Sequence, residues 1–515
     1  GLGVSAISCN IADALHAAAL RNPDKAAVVE AIRDTPRYRS WSFAELDDRA
    51  ARYAAGLRRV GIGRGTRTVL MVPPGLEFFA LVFALYRVGA TLVLIDPGID
   101  KKALRQCLGE VAAEAFVGVP LAHVARLVFR DALATVRIKV TVGRRWFWGG
   151  HRLADLLDAE PLPTEPTAPD DVAAVLFTSG STGVPKGAIY THAIFSAQVR
   201  MLQELYAFGD DEVDLSTFPL FALFLAALGV TSVIPDMDAR HPALADPVKL
   251  RQAMTDHGCT TMFGSPALLD TFSTWATAEG IRLSGLRRVL SAGAPVRHDI
   301  LARMRALLDD GVQVFTPYGA TEALPVANVG SDVLLDETHA ITANGGGVCV
   351  GEPVDGMCVR IIAVTDEPIA TWSDDLLVPD GVVGEITVRG EVVTPGYLGR
   401  DDQTALAKID DGGQVVHRMG DVGSFDAQGR LFMCGRKSHR LVTDRGTMFT
   451  IPVEMVFNQD PGVRRTALVG AGARPSQRPV LLVERAVDAA ESEETLIGRL
   501  TALAQERPLT AGIAE

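Results

Sequence analysis

A loop rich in glycine and hydroxyl residues, directly after an apolar run, limits what this chain can fold into more than any other feature. The loop spans residues 178–187 (TSGSTGVPKG), and residues 172–177 before it are predicted to be a buried strand. Glycines let backbone N–H groups approach an anion, hydroxyl groups donate further bonds and a lysine supplies charge. The pattern predicts phosphate binding. Its candidate ligands are Thr178, Ser179, Gly180, Ser181, Thr182, Gly183 and Lys186.

The spacing of this loop separates it from two commoner motifs. The nucleotide-binding pattern G-x-x-x-x-G-K-[ST] does not fit, because Lys186 follows Pro185 and precedes Gly187. No G-x-S-x-G serine-hydrolase elbow can be aligned with it either. An ordinary Gly/Ser surface loop is the alternative, but the ten positions follow a strand, which favours the phosphate-binding interpretation.

Composition and charge exclude several classes of protein. A chain of 515 residues predicts two or more domains, and a formal net charge of −12 argues against a nucleic-acid partner. Six scattered cysteines without a C-x-x-C pair favour free thiols in a reducing, cytoplasmic compartment over a zinc site or disulfides. We expect no signal peptide and no integral membrane segment. The uncharged stretch 215–235 contains Pro219 and Gly229, so it is predicted to be a buried loop and helix.

Alternating strand and helix patterns run through the first hundred residues. Asn10 is a candidate N-cap, and Ser42 with Glu45 forms a predicted capping box. A strand is predicted at 68–72, a helix at 77–89 and a second strand at 90–95. This order predicts a parallel sheet covered on both faces. The later string 144–148 (RRWFW) is either an interaction patch or a partly buried loop, and the second is favoured.

The loop at 178–187 and the motif Y-G-A-T-E at 318–322 resemble the adenylate-forming superfamily of acyl-CoA synthetases, luciferases and peptide-synthetase adenylation domains. The resemblance runs over nearly the whole chain. It implies an α/β fold: a large N-terminal domain of stacked α/β sheets with a β-rich subdomain, here 1–434, and a small mobile α+β C-terminal domain, here 435–515. The substrates it implies are ATP, with Mg²⁺, and a small-molecule acid.

The resemblance also assigns roles to residues beyond the loop. The turn at 293–295 would lie against adenine, Tyr318 would stack on it, Thr321 would bond the α-phosphate and Glu322 would hold Mg²⁺, for which a carboxylate is a suitable ligand. The two oxygens of Asp421 can accept both ribose hydroxyls, and Arg436 would bond ribose or phosphate. The implied catalytic residues are Thr182, Lys186, Thr321 and Glu322. The implied nucleotide contacts outside the loop are Gly293, Ala294, Pro295, Tyr318, Gly319, Ala320, Thr321, Asp421 and Arg436.

The chain departs from the superfamily at several positions. Ala222 stands where acyl-CoA synthetases often have histidine, and Ser438-His439 stands where the hinge between the domains is usually acidic. The sequence ends at Glu515 before the catalytic lysine motif of the C-terminal domain, so that domain is expected to be incomplete. The glycine tract 344–347 has no assigned role.

Three strings, at 218–223, 234–238 and 318–326, resemble the β-lactone synthetases of long-chain olefin biosynthesis. This implies adenylation of a long-chain 2-alkyl-3-hydroxy fatty acid, followed by attack of its 3-hydroxyl group to close a β-lactone. It also implies assembly with other enzymes of that pathway. A medium- or long-chain acyl-CoA ligase (or acyl-AMP ligase) and a non-catalytic nucleotide-binding scaffold are the alternatives.

Overall fold

Three large sheets organise the computed structural model, which describes residues 9–96, 98–177 and 185–513. Two of them contain mostly parallel strands, and the third is antiparallel. Helices cover the two parallel sheets, and the largest buried apolar cluster lies between them. This is the mixed α/β arrangement that the sequence predicts.

The α-helices of the described residues are as follows. They are α1 (Ala12–Arg21), α2 (Phe43–Arg59), α3 (Leu76–Arg87), α4 (Lys101–Val111), α5 (Pro120–Val128), α6 (His192–Tyr206), α7 (Pro219–Leu228), α8 (Pro247–Asp256), α9 (Pro266–Ala278), α10 (His298–Leu307), α11 (His339–Ala343), α12 (Asp401–Ala407), α13 (Thr450–Phe457) and α14 (Glu493–Gln505).

The strands of the described residues follow in the same way. They are β1 (Ala26–Ala31), β2 (Tyr38–Ser42), β3 (Arg67–Met71), β4 (Thr91–Ile95), β5 (Ala115–Gly118), β6 (Ile138–Thr141), β7 (His151–Arg152), β8 (Val172–Phe177), β9 (Gly187–Thr191), β10 (Val213–Ser216), β11 (Thr231–Ile234), β12 (Thr261–Phe263), β13 (Arg288–Leu290), β14 (Val314–Phe315), β15 (Tyr318–Ala320), β16 (Ala323–Asn328), β17 (Val348–Pro353), β18 (Cys358–Ile362), β19 (Gly384–Arg389), β20 (Lys408–Asp411), β21 (Gln414–Phe425), β22 (Leu431–Arg436), β23 (Leu441–Thr443), β24 (Gly446–Met448), β25 (Val463–Ala471) and β26 (Arg478–Arg485).

Strand order shows how the parallel sheets are built. One sheet has the order β7-β6-β5-β3-β4-β8-β9, and the other has the order β14-β13-β12-β10-β11-β1-β2. Only the edge pairs β8/β9 and β1/β2 are antiparallel within them. The predicted phosphate loop therefore leaves the carboxyl end of a strand near the sheet edge, where open α/β sheets usually bind ligands.

Of the two local signals near the N-terminus, the capping box is confirmed and the N-cap is displaced by one residue. The Ser42 hydroxyl accepts from the Glu45 N–H at 3.1 Å, and the Glu45 carboxylate accepts from the Ser42 N–H at 2.7 Å. The N-cap residue of α1 is Ile11 and not Asn10, although the Asn10 side chain accepts from the N–H of Ala12, the first residue of α1. The uncharged stretch 215–235 contains the end of β10, all of α7 and all of β11, and most of it is buried. The predicted buried loop and helix is confirmed.

The antiparallel sheet has the order β15-β16-β17-β22-β21-β19-β18, with β20 paired to β21. It supplies the strands that carry the remaining motifs. Beyond it, the hairpins β23/β24 and β25/β26 pack with α13 and α14 around a separate apolar cluster that includes Leu441, Phe457 and Leu500. The predicted domain boundary at 434/435 falls inside β22 and stays a prediction.

Candidate functional site

A cavity of about 710 Å³ lies where the antiparallel sheet meets the C-terminal hairpins. One of its walls is the turn after β13, another is β15 with the segment before it, and a third comes from β21, β22 and α13. Most predicted nucleoside contacts meet there. They are Gly293, Ala294, Pro295, Tyr318, Gly319, Asp421 and Arg436.

Asp421 is the central charged group of this cleft. Its side chain accepts the Tyr318 hydroxyl at 2.6 Å through one oxygen and an Arg436 N–H at 2.9 Å through the other. Burial raises the pKa of Asp421, and the Arg436 charge opposes that shift. Each carboxylate oxygen can accept two hydrogen bonds, so both oxygens retain capacity for a ribose hydroxyl.

The pentapeptide 318–322 continues from the cleft into a polar cluster behind it. Tyr318 and Ala320 belong to β15, which turns back antiparallel into β16. The hydroxyl of Tyr190 donates to the Thr321 carbonyl, and the N–H of Thr394 donates to the Glu322 carbonyl at 2.9 Å. The backbone of the turn that carries Thr321 and Glu322 is therefore held by one residue of β9 and by one residue of the loop after β19.

Tyr397 joins the two charged residues of this cluster. Its hydroxyl donates to a Glu322 carboxylate oxygen at 2.7 Å, and the ammonium of Lys186 lies 4.9 Å from its ring centroid. Burial lowers the pKa of Lys186, whereas the Glu322 charge raises it. The end of the predicted phosphate loop thus meets the Y-G-A-T-E motif. Thr178, Ser179, Gly180, Ser181, Thr182 and Gly183 lie outside the described residues.

Two basic residues behind Glu322, the half-buried Lys408 and the buried His417, were missed by the sequence analysis. Lys408 and His417 face each other across the antiparallel pair β20/β21, and the Lys408 ammonium donates to the Thr394 hydroxyl at 3.2 Å. Burial lowers the pKa of Lys408 to about 7 and that of His417 well below its usual value. The sequence does show one signal, the Gly412-Gly413 turn between Lys408 and His417, which indicates that the two residues could face each other across a hairpin. It does not show that they are withdrawn from water.

The donor set around Glu322 agrees with a magnesium site. The carboxylate is only partly buried, and one of its oxygens accepts from Tyr397. No group of three or more His, Cys, Asp or Glu side chains close enough to hold a metal occurs in residues 9–96, 98–177 and 185–513. Mg²⁺ commonly takes one or two carboxylates plus substrate phosphates and water, so Glu322 suits such a site.

Comparisons with known proteins agree with this geometry. The family described as AMP-binding enzyme matches residues 15–398. The chain belongs to this family. It is 49% identical to the olefin β-lactone synthetase of Xanthomonas campestris pv. campestris over 520 residues, which cover 98% of this chain and 92% of the relative. It is 51% identical to that of Stenotrophomonas maltophilia over 496 residues, covering 92% and 88%. The chain therefore also belongs with the olefin β-lactone synthetases.

Solved structures extend the likeness to the fold. The amide bond synthetase McbA from Marinactinospora thermotolerans matches with a TM-score of 0.79 at 23% identity, covering 97% of this chain and 93% of that one. ATP-bound MatB from Rhodopseudomonas palustris matches with a TM-score of 0.79 at 20% identity, covering 98% and 93%. These solved structures show that the chain has the fold that the sequence predicts. The family match and the two relatives show that it is an adenylate-forming, ligase-type AMP-binding enzyme that uses ATP.

The residues that depart from the superfamily pattern, Ala222 and Ser438-His439, lie in the core and at the cleft respectively. Ala222 is fully buried in α7, most of whose side chains fill the core, while Phe218 just before α7 is about half exposed and stacks on Phe263. Ser438 and His439 both line the cleft around Asp421. Over the described part of the chain, no helix is both long and apolar enough to cross a bilayer.

The segment between β22 and β23 is pinned to the antiparallel sheet by charge. Lys437 contacts the buried carboxylate of Glu385 at 3.1 Å, and Arg418 pairs with the same carboxylate through two bonds of 2.9 Å. Two Arg440 N–H groups donate to the two oxygens of Asp366 at 3.2 and 2.8 Å. The orientation of the C-terminal hairpins is thereby coupled to the sheet that carries Asp421.

Proposed function

We propose that this enzyme activates a long-chain 2-alkyl-3-hydroxy fatty acid with ATP and closes it to a β-lactone, releasing AMP and diphosphate. The observation that carries the proposal is the identity of 49% and 51% to two olefin β-lactone synthetases over most of each chain. The cleft around Asp421 and the charged cluster around Glu322 supply the groups that such a reaction requires.

In the first step, a carboxylate oxygen of the acid would attack the α-phosphorus of ATP and expel diphosphate. Thr321 would bond the α-phosphate and Lys186 would contact the diphosphate end, together with Thr182 and the rest of the loop. Glu322 would hold Mg²⁺, which neutralises phosphate charge when bound. The protein forms no covalent bond and acts by positioning and by charge.

In the second step, the 3-hydroxyl oxygen of the bound acyl-adenylate would attack the acyl carbon. A new C–O bond closes the four-membered ring, and the bond from the acyl carbon to the adenylate oxygen breaks. AMP leaves with the electron pair of that bond, and the hydroxyl proton passes to water. Because nucleophile and electrophile belong to one molecule, orientation costs little, which offsets part of the ring strain. This step needs no CoA.

The nucleoside would be held in the cleft by the residues described there. The ribose hydroxyls would donate to Asp421, and Arg436 would bond ribose or phosphate. The adenine ring would lie between Tyr318 and the turn 293–295, with Gly319 and Ala320 setting the path of the backbone. Gly293 has φ +102°, a conformation that favours glycine, and a Cβ there would meet no atom within 4 Å.

Location and organisation are part of the same proposal. We place the enzyme in the cytoplasm, which accords with all six cysteines being free. Assembly with the enzymes that supply the hydroxy acid and consume the lactone would limit the exposure of both long-chain compounds to water. The division into residues 1–434 and 435–515 accords with the separate apolar cluster beyond β22.

Mass spectrometry of the products tests the reaction directly. With a 2-alkyl-3-hydroxy acid, ATP and Mg²⁺ but no CoA, the expected product has the mass of the acid minus water, with one AMP released per lactone. The matched control is the same acid without the 3-hydroxyl group, which should give pyrophosphate exchange but no lactone. Product that forms only with CoA, as an acyl-CoA thioester, would establish the acyl-CoA ligase alternative instead.

A further inference from the structure

An exposed surface that is both apolar and basic lies on α5, on the segment between α5 and β6 and on the loop after β6, and none of its residues lines the cleft around Asp421. We call it the α5 surface. Its apolar members are Leu121, Leu127, Val128, Trp146 and Phe147, and its basic members are Arg130, Arg137, Arg144 and Arg145. The favoured expectation of a partly buried loop at 144–148 is right only for Trp148, because the other four residues are exposed.

Helix α5 presents its apolar stripe outward. Leu121, Val124, Ala125 and Val128 follow the spacing i, i+3, i+4, i+7 and so share one face, and Leu121 and Val128 are 77% and 64% exposed. The opposite side is fixed to the protein by His123, which is fully buried and bonds to the Val140 carbonyl at 2.9 Å. A surface helix normally turns its apolar stripe toward the core, so this one is unpartnered.

The loop after β6 exposes the aromatic rings of Trp146 and Phe147 to solvent. Its buried Trp148 stacks on His123 with ring centroids 5.2 Å apart, and its indole N–H donates to the Thr141 hydroxyl at 2.9 Å. Anchored in this way, Trp148 supports Trp146 and Phe147, whose rings lie 5.2 and 5.5 Å from its own. Phe147 is 80% exposed, and Trp146 is 51% exposed.

Charge on this surface opposes that of the whole chain. Residues 119–152 contain seven lysines and arginines and one aspartate, a net charge of +6, in a chain of net charge −12. Among the described residues, Arg130, Arg137 and Arg144 have no carboxylate within 4 Å. Their counter-charge must come from outside the protein, and the surface is therefore complementary to an anion-rich partner.

We propose that the α5 surface docks this enzyme on an anionic lipid bilayer. An outward apolar helix face, tryptophan and phenylalanine side chains and flanking arginines are the combination that seats a protein at the boundary of headgroups and acyl chains. A second copy of the chain is disfavoured, because a symmetric contact would bring the four arginines of one surface against the same four of the other.

The position of the α5 surface suits the delivery of a lipid. The loops after β5 and β6 leave the same carboxyl edge of the parallel sheet as the loop after β8, since β6, β5, β3, β4 and β8 are consecutive parallel neighbours. Four strand spacings separate β6 from β8, about 19 Å. The loop after β6, which carries Trp146 and Phe147, therefore lies at the same edge of the sheet as the carboxyl end of β8.

Co-sedimentation with vesicles tests the proposal. The full chain should bind vesicles of phosphatidylglycerol and phosphatidylcholine, bind pure phosphatidylcholine much less, and lose binding as salt rises. The variant Trp146→Ser/Phe147→Ser and the variant Arg144→Glu/Arg145→Glu should each lower partitioning about tenfold or more. The matched controls are Leu244→Ser/Val487→Ser, which removes apolar groups 82% and 86% exposed elsewhere, and Arg33→Glu. These should bind like the parent.

Several outcomes of these experiments would overturn the proposal. A parent protein that ignores anionic vesicles, or aromatic and charge variants that bind as well as the parent, excludes lipid docking. Concentration-dependent dimers abolished by Trp146→Ser/Phe147→Ser without vesicle binding would assign the surface to self-association instead. Both surface variants should keep the parental unfolding temperature and the rate of AMP release from a short, water-soluble 3-hydroxy acid, which separates this test from that of the reaction.

Discussion

Tyr397 contacts Glu322 and Lys186, the two charged side chains that the proposed chemistry needs most. Its hydroxyl fixes the Glu322 carboxylate, and its ring lies beside the Lys186 ammonium, so one aromatic residue sets the position of both. The Asp421 carboxylate is organised differently, by a phenol on one oxygen and a guanidinium on the other. The proposed nucleoside cleft and the proposed metal position are thus joined by the turn 318–322.

We expect Glu322→Gln to lower the rate of pyrophosphate exchange at least about 100-fold, because it removes the charge proposed to hold Mg²⁺ but keeps the shape. Tyr397→Phe keeps the ring beside Lys186 and removes one hydrogen bond, so a loss of about tenfold, with a raised Mg²⁺ requirement, is expected. Exchange rates measured across a Mg²⁺ series check both. Parental rates for Glu322→Gln would contradict its role.

At the scale of elements, the sequence predicts what depends on near neighbours. The Ser42–Glu45 box at the start of α2 needs residues only three apart, and the strand and helix order through residue 95 follows from periodicity, so both were recovered. Lys408 and His417 were missed because their burial arises from the pairing of β20 with β21 behind Glu322, a contact that composition and spacing do not encode.

Strand β10 provides a second case in which burial decides chemistry. Asp214 is fully buried, and only one of its oxygens has a hydrogen-bond partner, the Ser216 hydroxyl at 2.6 Å. Burial raises the pKa of Asp214 to about 7, and Arg288 only partly opposes this. The folded protein therefore keeps a proton on Asp214 that the unfolded chain releases near pH 4, so this group makes stability fall as pH rises from about 4 to about 7.

Asp214→Asn should remove that pH dependence. The unfolding temperature of the variant, relative to the parent, should rise between pH 5 and pH 8, by an amount equivalent to about 2–4 kcal/mol. The quantity to follow is the change with pH in the difference between the two unfolding temperatures, because an amide in the same site loses some hydrogen bonding at every pH. Asp24→Asn, an exposed aspartate before β1, is the control and should show a constant difference. A constant difference for Asp214→Asn would contradict the raised pKa.

The whole molecule depends on how the C-terminal hairpins sit against the rest. The glycine tract that had no predicted role makes part of this contact: α11 packs against α13, and Arg507 donates to the Asn344 side chain at 3.1 Å. Gly345 has φ +90°, and a Cβ there would lie 2.4 Å from the Leu509 side chain. With the pinned segment at Lys437 and Arg440, this contact holds the C-terminal elements over the cleft.

Gly345→Val should loosen this contact without unfolding either part. Its side chain would need the space occupied by Leu509, so the C-terminal elements should separate from α11, while the sheets around Asp421 keep their own core. Limited proteolysis should then cut the segment between β22 and β23 about tenfold faster than in the parent, since a more open segment is a better substrate. Gly356→Val has a similar φ of +87° but no neighbour within 4 Å of a Cβ, so it carries the same backbone strain without the collision. Equal cleavage rates for the two variants would mean that strain, and not the contact with Leu509, controls access to the segment.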